Sequence, residues 1–356
     1  MGNAKPRESS FELLRIIAQY MIIFYHILLF IVYADTGAPI YKAMWLPLHV
    51  GVPLFVVISG YFGIKANVKR LVKLLGLVFV FQVPYLIISN IIGGERIVGP
   101  DGGGTLLDWI KILFFISGTP NWFMRTYLFL FLFSPVINSF IKDCSLRRRA
   151  FLLLVLFFIS HYVGILGFDS SLSDGKNLVT FVFFYVIGDT IHVYKDKWMK
   201  IPGWVFWIIY CCYNLFLLFV FTYFEYRFLN PLFSRVFYNY HSIGLLLNTV
   251  LLMMAVGHYN FHSPSINRMA RASIAMYLLQ PYYFLFVIPS SIVILYSLSQ
   301  MNTIPLTVLL MFFTALLVII SWSIYEMLTP IWKLLDRSGN WCQNFADSFC
   351  QKYLNK

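Results

Sequence analysis

Long apolar runs recur along the whole chain and set the strongest limit on how it can fold. Each run is long enough for a helix to cross a hydrocarbon core of about 30 Å, at about 1.5 Å per residue. Charged residues make up 12% of the 356 residues, whereas they make up about a quarter of a soluble domain. That is too little polar surface to cover a globule in water. We therefore predict an all-α polytopic membrane protein.

Ten transmembrane helices are predicted from these runs. They lie at 11–33, 46–63, 69–92, 121–141, 149–168, 178–194, 203–224, 239–257, 272–297 and 303–328. A shorter apolar stretch at 106–116, LLDWIKILFFI, is expected at the membrane interface or as a re-entrant segment. We assign residues 1–330 to one transmembrane domain and residues 331–356 to a cytoplasmic amphipathic tail.

The positive charge of the chain is divided unequally between the two sides of this topology. A formal net charge of +12 would by itself allow a nucleic-acid partner. However, one set of alternate connections carries twenty lysines and arginines and the other carries six, with Arg125 inside a helix. Such an excess marks the cytoplasmic side of a membrane protein. We therefore predict cytoplasmic N- and C-termini and no nucleic-acid partner.

The first predicted helix carries four polar side chains on one face. At 100° per residue, Glu12, Arg15, Gln19 and His26 fall within an arc of about 60°, and the rest of the helix is apolar or aromatic. Ionisable groups that face lipid cost roughly a few kcal/mol each, so this arc should face the protein interior or a hydrated cavity. His26 lies about 16 Å beyond Arg15 along the helix.

Two interpretations of this polar stripe remain open. In the structural one, Arg15 extends to the inner headgroups, Glu12 pairs with it, and His26 is a hydrogen-bonded core histidine. In the functional one, the stripe lines a site, because a histidine in the middle of a membrane is a functional candidate by default.

Five short motifs follow one another along the chain. Arg15 and His26 are separated by ten residues in ELLRIIAQYMIIFYH, and the other motifs are VPLFVVISGYF (52–62), NWFMRTYLFLFLFSPVIN (121–138), FFYVIGDTI (183–191) and SIAMYLLQPYY (273–283). Together they resemble the acyltransferase-3 family of integral membrane O-acyltransferases, which includes surface polysaccharide O-acetyltransferases. Many members have a histidine just before the late proline, where this chain has Gln280. We therefore assign no acid–base role to that position.

The resemblance implies transfer of an acyl group, acetyl in most members, from cytoplasmic acyl-coenzyme A to a hydroxyl of a cell-envelope or lipid-linked sugar. It also implies a multi-pass protein of a bacterial plasma (inner) membrane. The implied partners are acyl-coenzyme A as co-substrate, a saccharide acceptor and membrane lipids. We predict no metal site and no resident cofactor.

On this interpretation His26 is the catalytic base, since neutral imidazole can take the proton of a sugar hydroxyl. Arg15 is assigned to catalysis and to a bidentate contact with the phosphates of coenzyme A. The remaining predicted donor-site residues are Glu12, Gln19, Tyr277 and Gln280, and the predicted acceptor-site residues are Trp122 and Arg125. Core packing remains open for Tyr277 and Gln280, as does an interfacial position for Trp122 and Arg125.

An alternative from another functional class is a transporter or flippase for a lipid-linked saccharide, with Arg15 and His26 coupling transport to protons. The chain shows no repeat of fixed period and no matched pair of broken helices, which disfavours this alternative. Coenzyme A binding would separate the two functions, because a flippase does not use coenzyme A.

Overall fold

The computed structural model describes residues 8–33, 44, 47–92, 122–163, 174–224, 237, 239–283 and 303–353, and the regular elements in these ranges are all helices. In chain order they are α1 (Ser9–Tyr33), α2 (Gly51–Phe62), α3 (Val68–Ile92), α4 (Trp122–Lys142), α5 (Leu146–Phe157, continued by a π-helical turn at Phe158–Val163), α6 (Leu178–Val193), α7 (Lys195–Trp198), α8 (Gly203–Phe224), α9 (Ile243–Gly257), α10 (Pro264–Ala270), α11 (273–283), α12 (Thr303–Met327) and α13 (Thr329–Tyr353).

The predicted helical architecture is confirmed over these ranges, and a helix falls on each of the ten predicted positions. Among the described residues, four helices are long and apolar enough to cross a membrane by length and composition, at Ser9–Leu29, Trp122–Lys142, Gly203–Val220 and Ile304–Met327. α2, α6 and α9 are apolar but shorter. The number of ten spans and the cytoplasmic termini stay predictions. The stretch at 106–116 and the predicted ninth helix beyond residue 283 lie outside the described residues.

Capping side chains fix the points at which several helices begin. Ser145, Asn177 and Ser242 each accept a hydrogen bond from the backbone N–H three residues further on, at 3.4, 3.0 and 3.1 Å. Ser263 does the same for α10, which starts with Pro264. These are the residue types that satisfy the unpaired N–H groups of a first helical turn, so the local sequence sets these boundaries.

α2 and α6 are in direct backbone contact at two glycines. A Cβ atom added to Gly60 would overlap the carbonyl oxygen of Tyr185 in α6, and one added to Gly188 would overlap the carbonyl oxygen of Val57 in α2. Small residues allow this close approach where helices pack in lipid. The pair lies beside α1, which packs against α2.

α1 lies at the centre of the described helices and contacts α2, α9, α10 and α12. Its apolar face is fully buried at Phe11, Leu14 and Ala18. Its first residue, Ser9, donates a hydrogen bond to Asn267 Oδ1 at 2.9 Å and accepts one from the N–H of Ser263 at 2.8 Å. The N-terminal end of the polar stripe is therefore held in place by α10 and the residue that caps it.

The last helix, α13, packs along α3. Lys73 Nζ donates to both carboxylate oxygens of Asp336, at 2.9 and 3.1 Å, and Gly339 lies against the backbone of Lys69. The other face of α13 exposes Trp341 and Phe345, whose rings stack. Such a two-sided helix suits the amphipathic tail predicted for residues 331–356, whose cytoplasmic location stays a prediction.

A buried ion pair joins α5 to α6. Arg149, counted above among the cations of a cytoplasmic connection, has a side chain only 4% exposed and pairs with Asp189. Its Nη2 also donates to the carbonyl oxygen of Ile141, at 2.9 Å. A guanidinium can be buried when its charge and its N–H groups are both satisfied in this way.

Candidate active site

The polar stripe of α1 faces the protein interior, as its composition predicts. Glu12 and Gln19 are buried, and Arg15 and His26 are partly buried. Arg15 Nη1 donates to Glu12 Oε1 at 2.7 Å, one turn away. Neither the nitrogen nor the oxygen of the Gln19 side chain has a hydrogen-bond partner among the described residues. Leaving such a group unpaired when buried costs about 1–3 kcal/mol, so the stripe holds hydrogen-bonding capacity available to a ligand.

A cavity of about 310 Å³ follows the first half of this stripe. Its wall carries the cations Arg15, Lys73 and Arg271 and the carboxylate of Glu12, together with Gln19. Ile22, Phe123 and Tyr277 are among the other residues that line it. We call it the inner cavity, because its charged end lies on the side predicted to be cytoplasmic. Arg15 is paired with Glu12 and Lys73 with Asp336, so Arg271 leaves this end with a net positive charge that favours an anionic ligand.

A second cavity, of about 210 Å³, lies beyond the first. We call it the outer cavity. Two histidines, His26 and His49, face it together with the aromatic rings of Tyr25, Trp122 and Tyr240. The ring centroid of His49 lies 4.6 Å from that of Tyr25 and 4.5 Å from that of Tyr240. These contacts make one continuous aromatic wall with the histidines in it.

Polar groups complete the outer cavity at Asp174, Lys176 and Asn239. Lys176 Nζ lies 5.7 Å from the centroid of the Trp122 ring and 3.9 Å from Asp174 Oδ2. Aromatic walls with a few hydrogen-bonding groups are typical of sites for small polar molecules. The outer cavity therefore differs in character from the cationic inner cavity.

Neighbouring residues of α1 and of α4 line the two cavities. On α1, Ile22 lines the inner cavity and His26 the outer one, and on α4 the same division falls between Phe123 and Trp122. The ring of Tyr277, on α11, packs against the ring of Phe123, with their centroids 5.2 Å apart. Ile22 and Phe123 lie in the wall of the inner cavity, next to these outer-cavity residues, and we call this boundary between the two cavities the partition.

His26 lies at the partition, and a hydrogen bond to the backbone fixes the orientation of its ring. Nδ1 lies 2.8 Å from the carbonyl oxygen of Ile22. Because a carbonyl can only accept, Nδ1 carries the proton of the neutral ring and Nε2 carries the lone pair. A fixed ring with a lone pair on Nε2 is the arrangement that a general base needs.

The other predicted site residues are distributed as follows. Trp122 lines the outer cavity and Tyr277 the inner one. Gln280 is buried in α11 and lines neither cavity. Arg125, one turn from Trp122 on α4, is partly buried and is in neither wall. The acceptor role that the sequence predicts for Arg125 stays a prediction.

Several residues of the two cavities were not predicted from the sequence. In the outer cavity they include His49, Lys176 and Tyr240, and in the inner cavity Lys73 and Arg271. His49 lies in an apolar run that has no polar arc of its own. One signal could have revealed it, because His26 and His49 flank the same predicted outer connection and so lie at similar depth. The lysines and Arg271 had been interpreted as topology charges alone.

A family model of the acyltransferase domain, acyltransferase-3, matches residues 8–326, which include both cavities. The chain belongs to the acyltransferase-3 family. No curated protein and no solved structure matches it. Family membership identifies the protein as an acyltransferase and supports a membrane-embedded O-acyltransferase in general terms.

The five acyltransferase-3 motifs fall on α1, α2, α4, α6 and α11. Residues of α1, α2, α4 and α11 line the inner cavity, and α6 supports α2 through the two glycine contacts. The motifs that are scattered along the sequence therefore meet around one site.

Proposed function

We propose that this acyltransferase-3 protein transfers an acyl group, with acetyl as the first candidate, from cytoplasmic acyl-coenzyme A to a hydroxyl of a cell-envelope or lipid-linked sugar. The observation that carries the proposal is the position of His26, at a partition between a cationic inner cavity and an aromatic outer cavity. The donor occupies the inner cavity and the acceptor occupies the outer one.

The inner cavity suits the chemistry of coenzyme A. The phosphates at one end of the molecule match the cations Arg15, Lys73 and Arg271, and charge-assisted hydrogen bonds of this kind contribute about 1.5–3 kcal/mol each. The pantetheine arm contains secondary amides, and each offers one N–H donor and one carbonyl acceptor. Gln19 has one unused donor group and one unused acceptor in the cavity wall, so its amide is complementary to such a group.

The outer cavity suits a sugar. The rings of Trp122 and Tyr240 offer apolar faces for the C–H face of a pyranose, and Asp174 and Asn239 offer hydrogen-bond partners for its hydroxyls. Lys176 adds a cation at the same site. With a volume of about 210 Å³ over the described residues, the cavity is smaller than the range of about 300–1,000 Å³ that is usual for drug-sized ligands. We infer that it holds a single sugar unit of the acceptor.

The reaction balances through His26. The acceptor O–H gives its proton to Nε2 while its oxygen bonds to the thioester carbon. The carbon–sulfur bond then breaks, and the coenzyme A thiolate takes the proton back from Nε2. Direct transfer of this kind needs both substrates within reach of one imidazole, which explains why the base lies between two cavities.

The test is acyl transfer by the purified protein in lipid nanodiscs, with radiolabelled acetyl-coenzyme A and bacterial envelope glycans as acceptors. We expect wild type to label a glycan and His26→Ala to lose transfer by about 10²–10⁴-fold, the usual contribution of a general base. His262→Ala is the matched control, because His262 is exposed and outside both cavities. A wild-type protein that binds no coenzyme A but moves a lipid-linked saccharide across liposomes would instead be a flippase.

A further inference from the structure

α13 begins just beyond the residues that match the acyltransferase-3 family, yet it contacts the wall of the inner cavity. It starts after the matched range 8–326. Lys73, in the cavity wall, donates to both carboxylate oxygens of Asp336 on α13. Tyr325, also in the wall, stacks on the ring of Trp332, with their centroids 5.1 Å apart. A helix outside the matched range is therefore in direct contact with the proposed donor site.

The carboxylate of Asp336 is bound to a cation that the proposed donor would use. Lys73 Nζ lies 2.9 and 3.1 Å from its two oxygens, and an ammonium has three N–H donors in all. A carboxylate and a phosphate are both anions, so they compete for this ammonium and repel each other when both are close to it. A donor that needs Lys73 binds only those molecules in which the pair is open. The pair therefore raises the apparent dissociation constant of the donor.

Contacts other than this ion pair hold α13 against α3, so the carboxylate stays near the cavity when the pair opens. Gln343 Oε1 accepts a hydrogen bond from the N–H of Lys69 at 3.2 Å, and Gly339 packs against the backbone of the same residue. Leu335 packs against Gly76 of α3. A carboxylate held in this way competes at a high effective concentration, as a tethered ligand does.

The pair of Lys73 and Asp336 is weak enough for a ligand to displace. The two side chains are 40% and 41% exposed, and ion pairs with this much access to water contribute little. The phosphates of coenzyme A carry more negative charge than one carboxylate, and each offers several acceptor oxygens to an ammonium. Coenzyme A can therefore replace Asp336 at Lys73, at a small cost in affinity.

We propose that Asp336 is an affinity-determining residue of the donor site, whose carboxylate occupies Lys73 in the free protein and is displaced by a phosphate of acyl-coenzyme A. This proposal rests on the acyl transfer proposed above, and it adds α13 to the elements that set donor affinity. The exchange replaces one anionic partner of Lys73 by another and changes no covalent bond. Asp336 contacts none of the reacting atoms, so its effect falls on donor binding and not on the chemical step.

The test measures the dissociation constant of radiolabelled coenzyme A for the purified protein in lipid nanodiscs. Asp336→Asn keeps the size of the side chain and removes the competing charge. We expect coenzyme A to bind about two- to fivefold more tightly, which corresponds to about 0.4–1 kcal/mol. The KM for acetyl-coenzyme A should fall by the same factor with little change in kcat. Asp336→Ala should show the same gain, which excludes a new hydrogen bond from asparagine to the phosphate as its cause.

Two controls separate competition for Lys73 from other effects of charge. Asp347, on the same helix, is exposed and lines neither cavity, so we expect Asp347→Asn to bind coenzyme A as wild type does. Lys73→Met removes the cation for which the two anions compete. In this background we expect Asp336→Asn to give little or no gain, because the carboxylate then has no cation to occupy.

Unchanged or weaker binding of coenzyme A in both Asp336 variants would overturn the proposal, because loss of packing alone does not tighten a ligand. An equal gain with and without Lys73 would also overturn it, since Asp336 would then act by general repulsion of the phosphates. Wild-type protein that neither binds coenzyme A nor transfers an acyl group would refute the proposed function itself. An active wild type with unaffected Asp336 variants would refute only the competition.

Discussion

Single side chains in this protein combine structural and chemical roles along one face of α1. Arg15 is the clearest case, because it pairs with Glu12 at 2.7 Å and also lines the inner cavity. The pair is partly shielded from water, with 23% of the Arg15 side chain exposed and 6% of that of Glu12. A guanidinium that donates one N–H to a carboxylate has further N–H groups that can donate to a phosphate.

Arg15→Lys keeps the charge of this residue but loses its planar fork, so we predict a higher donor KM. Arg15→Ala should weaken coenzyme A binding by roughly ten- to a hundredfold and leave the acceptor KM nearly unchanged. The measurement is binding of coenzyme A and of dephospho-coenzyme A. If Arg15 contacts the ribose phosphate, wild type discriminates between the two ligands and the variant does not.

Arg147→Ala serves as the control for Arg15, since Arg147 is exposed on α5 and outside both cavities. If Arg15→Ala binds both ligands as wild type does, Arg15 contributes to membrane topology and not to donor binding.

His49 provides a second prediction at this scale. Because it faces the outer cavity only, His49→Ala should raise the acceptor KM by roughly tenfold, the value of about one lost hydrogen bond, and leave the donor KM unchanged. Steady-state kinetics with each substrate varied in turn would measure both constants. An equal rise in the two KM values would exclude a specific contact with the acceptor.

At this scale the sequence predicted the residues that share one helix and missed those that meet through tertiary packing. The stripe from Glu12 to His26 follows from 100° of rotation per residue, which is a local property. His49 and Lys176 join His26 only because separate segments pack together. The partition could not be predicted for the same reason, since Ile22 and Phe123 belong to ordinary apolar runs of different helices.

Pairs of helices are held together by two kinds of contact in this structure. α2 and α6 meet backbone to backbone at Gly60 and Gly188, whereas α5 and α6 are joined by the buried pair of Arg149 and Asp189. The first contact has no room for a larger side chain, and the second needs a counter-ion for its buried charge. Substitutions at the two contacts should therefore destabilise the protein by different mechanisms.

Gly60→Ala or Gly188→Ala would push a methyl group into a backbone carbonyl that has no rotamer to change. We predict destabilisation of about 1–3 kcal/mol or more from overpacking, measured as a lower midpoint of thermal unfolding in detergent. Gly76→Ala is the comparison, because the added Cβ there meets the flexible end of Leu335. Equal losses at positions 60 and 76 would contradict the proposed backbone contact.

Asp189→Asn would leave the guanidinium of Arg149 buried without its counter-ion. We predict a loss of about 3–5 kcal/mol of stability. The contrasting variant is Asp336→Asn, whose partner Lys73 is 40% exposed, and there we expect a loss of about 0–1 kcal/mol. Chemical unfolding of the two variants in the same detergent compares them directly, and similar losses would show that burial does not decide the strength of these pairs.

The overall architecture of the molecule was easier to predict from the sequence than its helix contacts or its site residues. Composition and apolar run length are global signals, so the helical membrane architecture and the approximate position of each helix followed from the sequence. Sidedness rests on the count of twenty cations against six, which concerns the relation of the chain to a bilayer and not the packing of its helices.

Cysteine labelling of intact cells tests this sidedness in a background with the five native cysteines replaced. Cysteines introduced at 142–148 should resist a membrane-impermeant reagent added outside, and those at 93–104 and 169–176 should react. Permeabilised cells provide the control, because the first set should then react as well. Outside labelling of 142–148 in intact cells would reverse the predicted orientation.

The partition between the two cavities also has an electrical consequence. If each cavity admits water from its own side, a single turn of protein carries most of the insulating thickness of the membrane at this point. The membrane potential then falls across a few side chains, among them Ile22 and Phe123, at about 2.3 kcal/mol per charge for each 100 mV. In that case we expect small residues at these two positions to let protons leak through the enzyme, so that the energy supply of the cell would constrain the bulk of these side chains as well as catalysis.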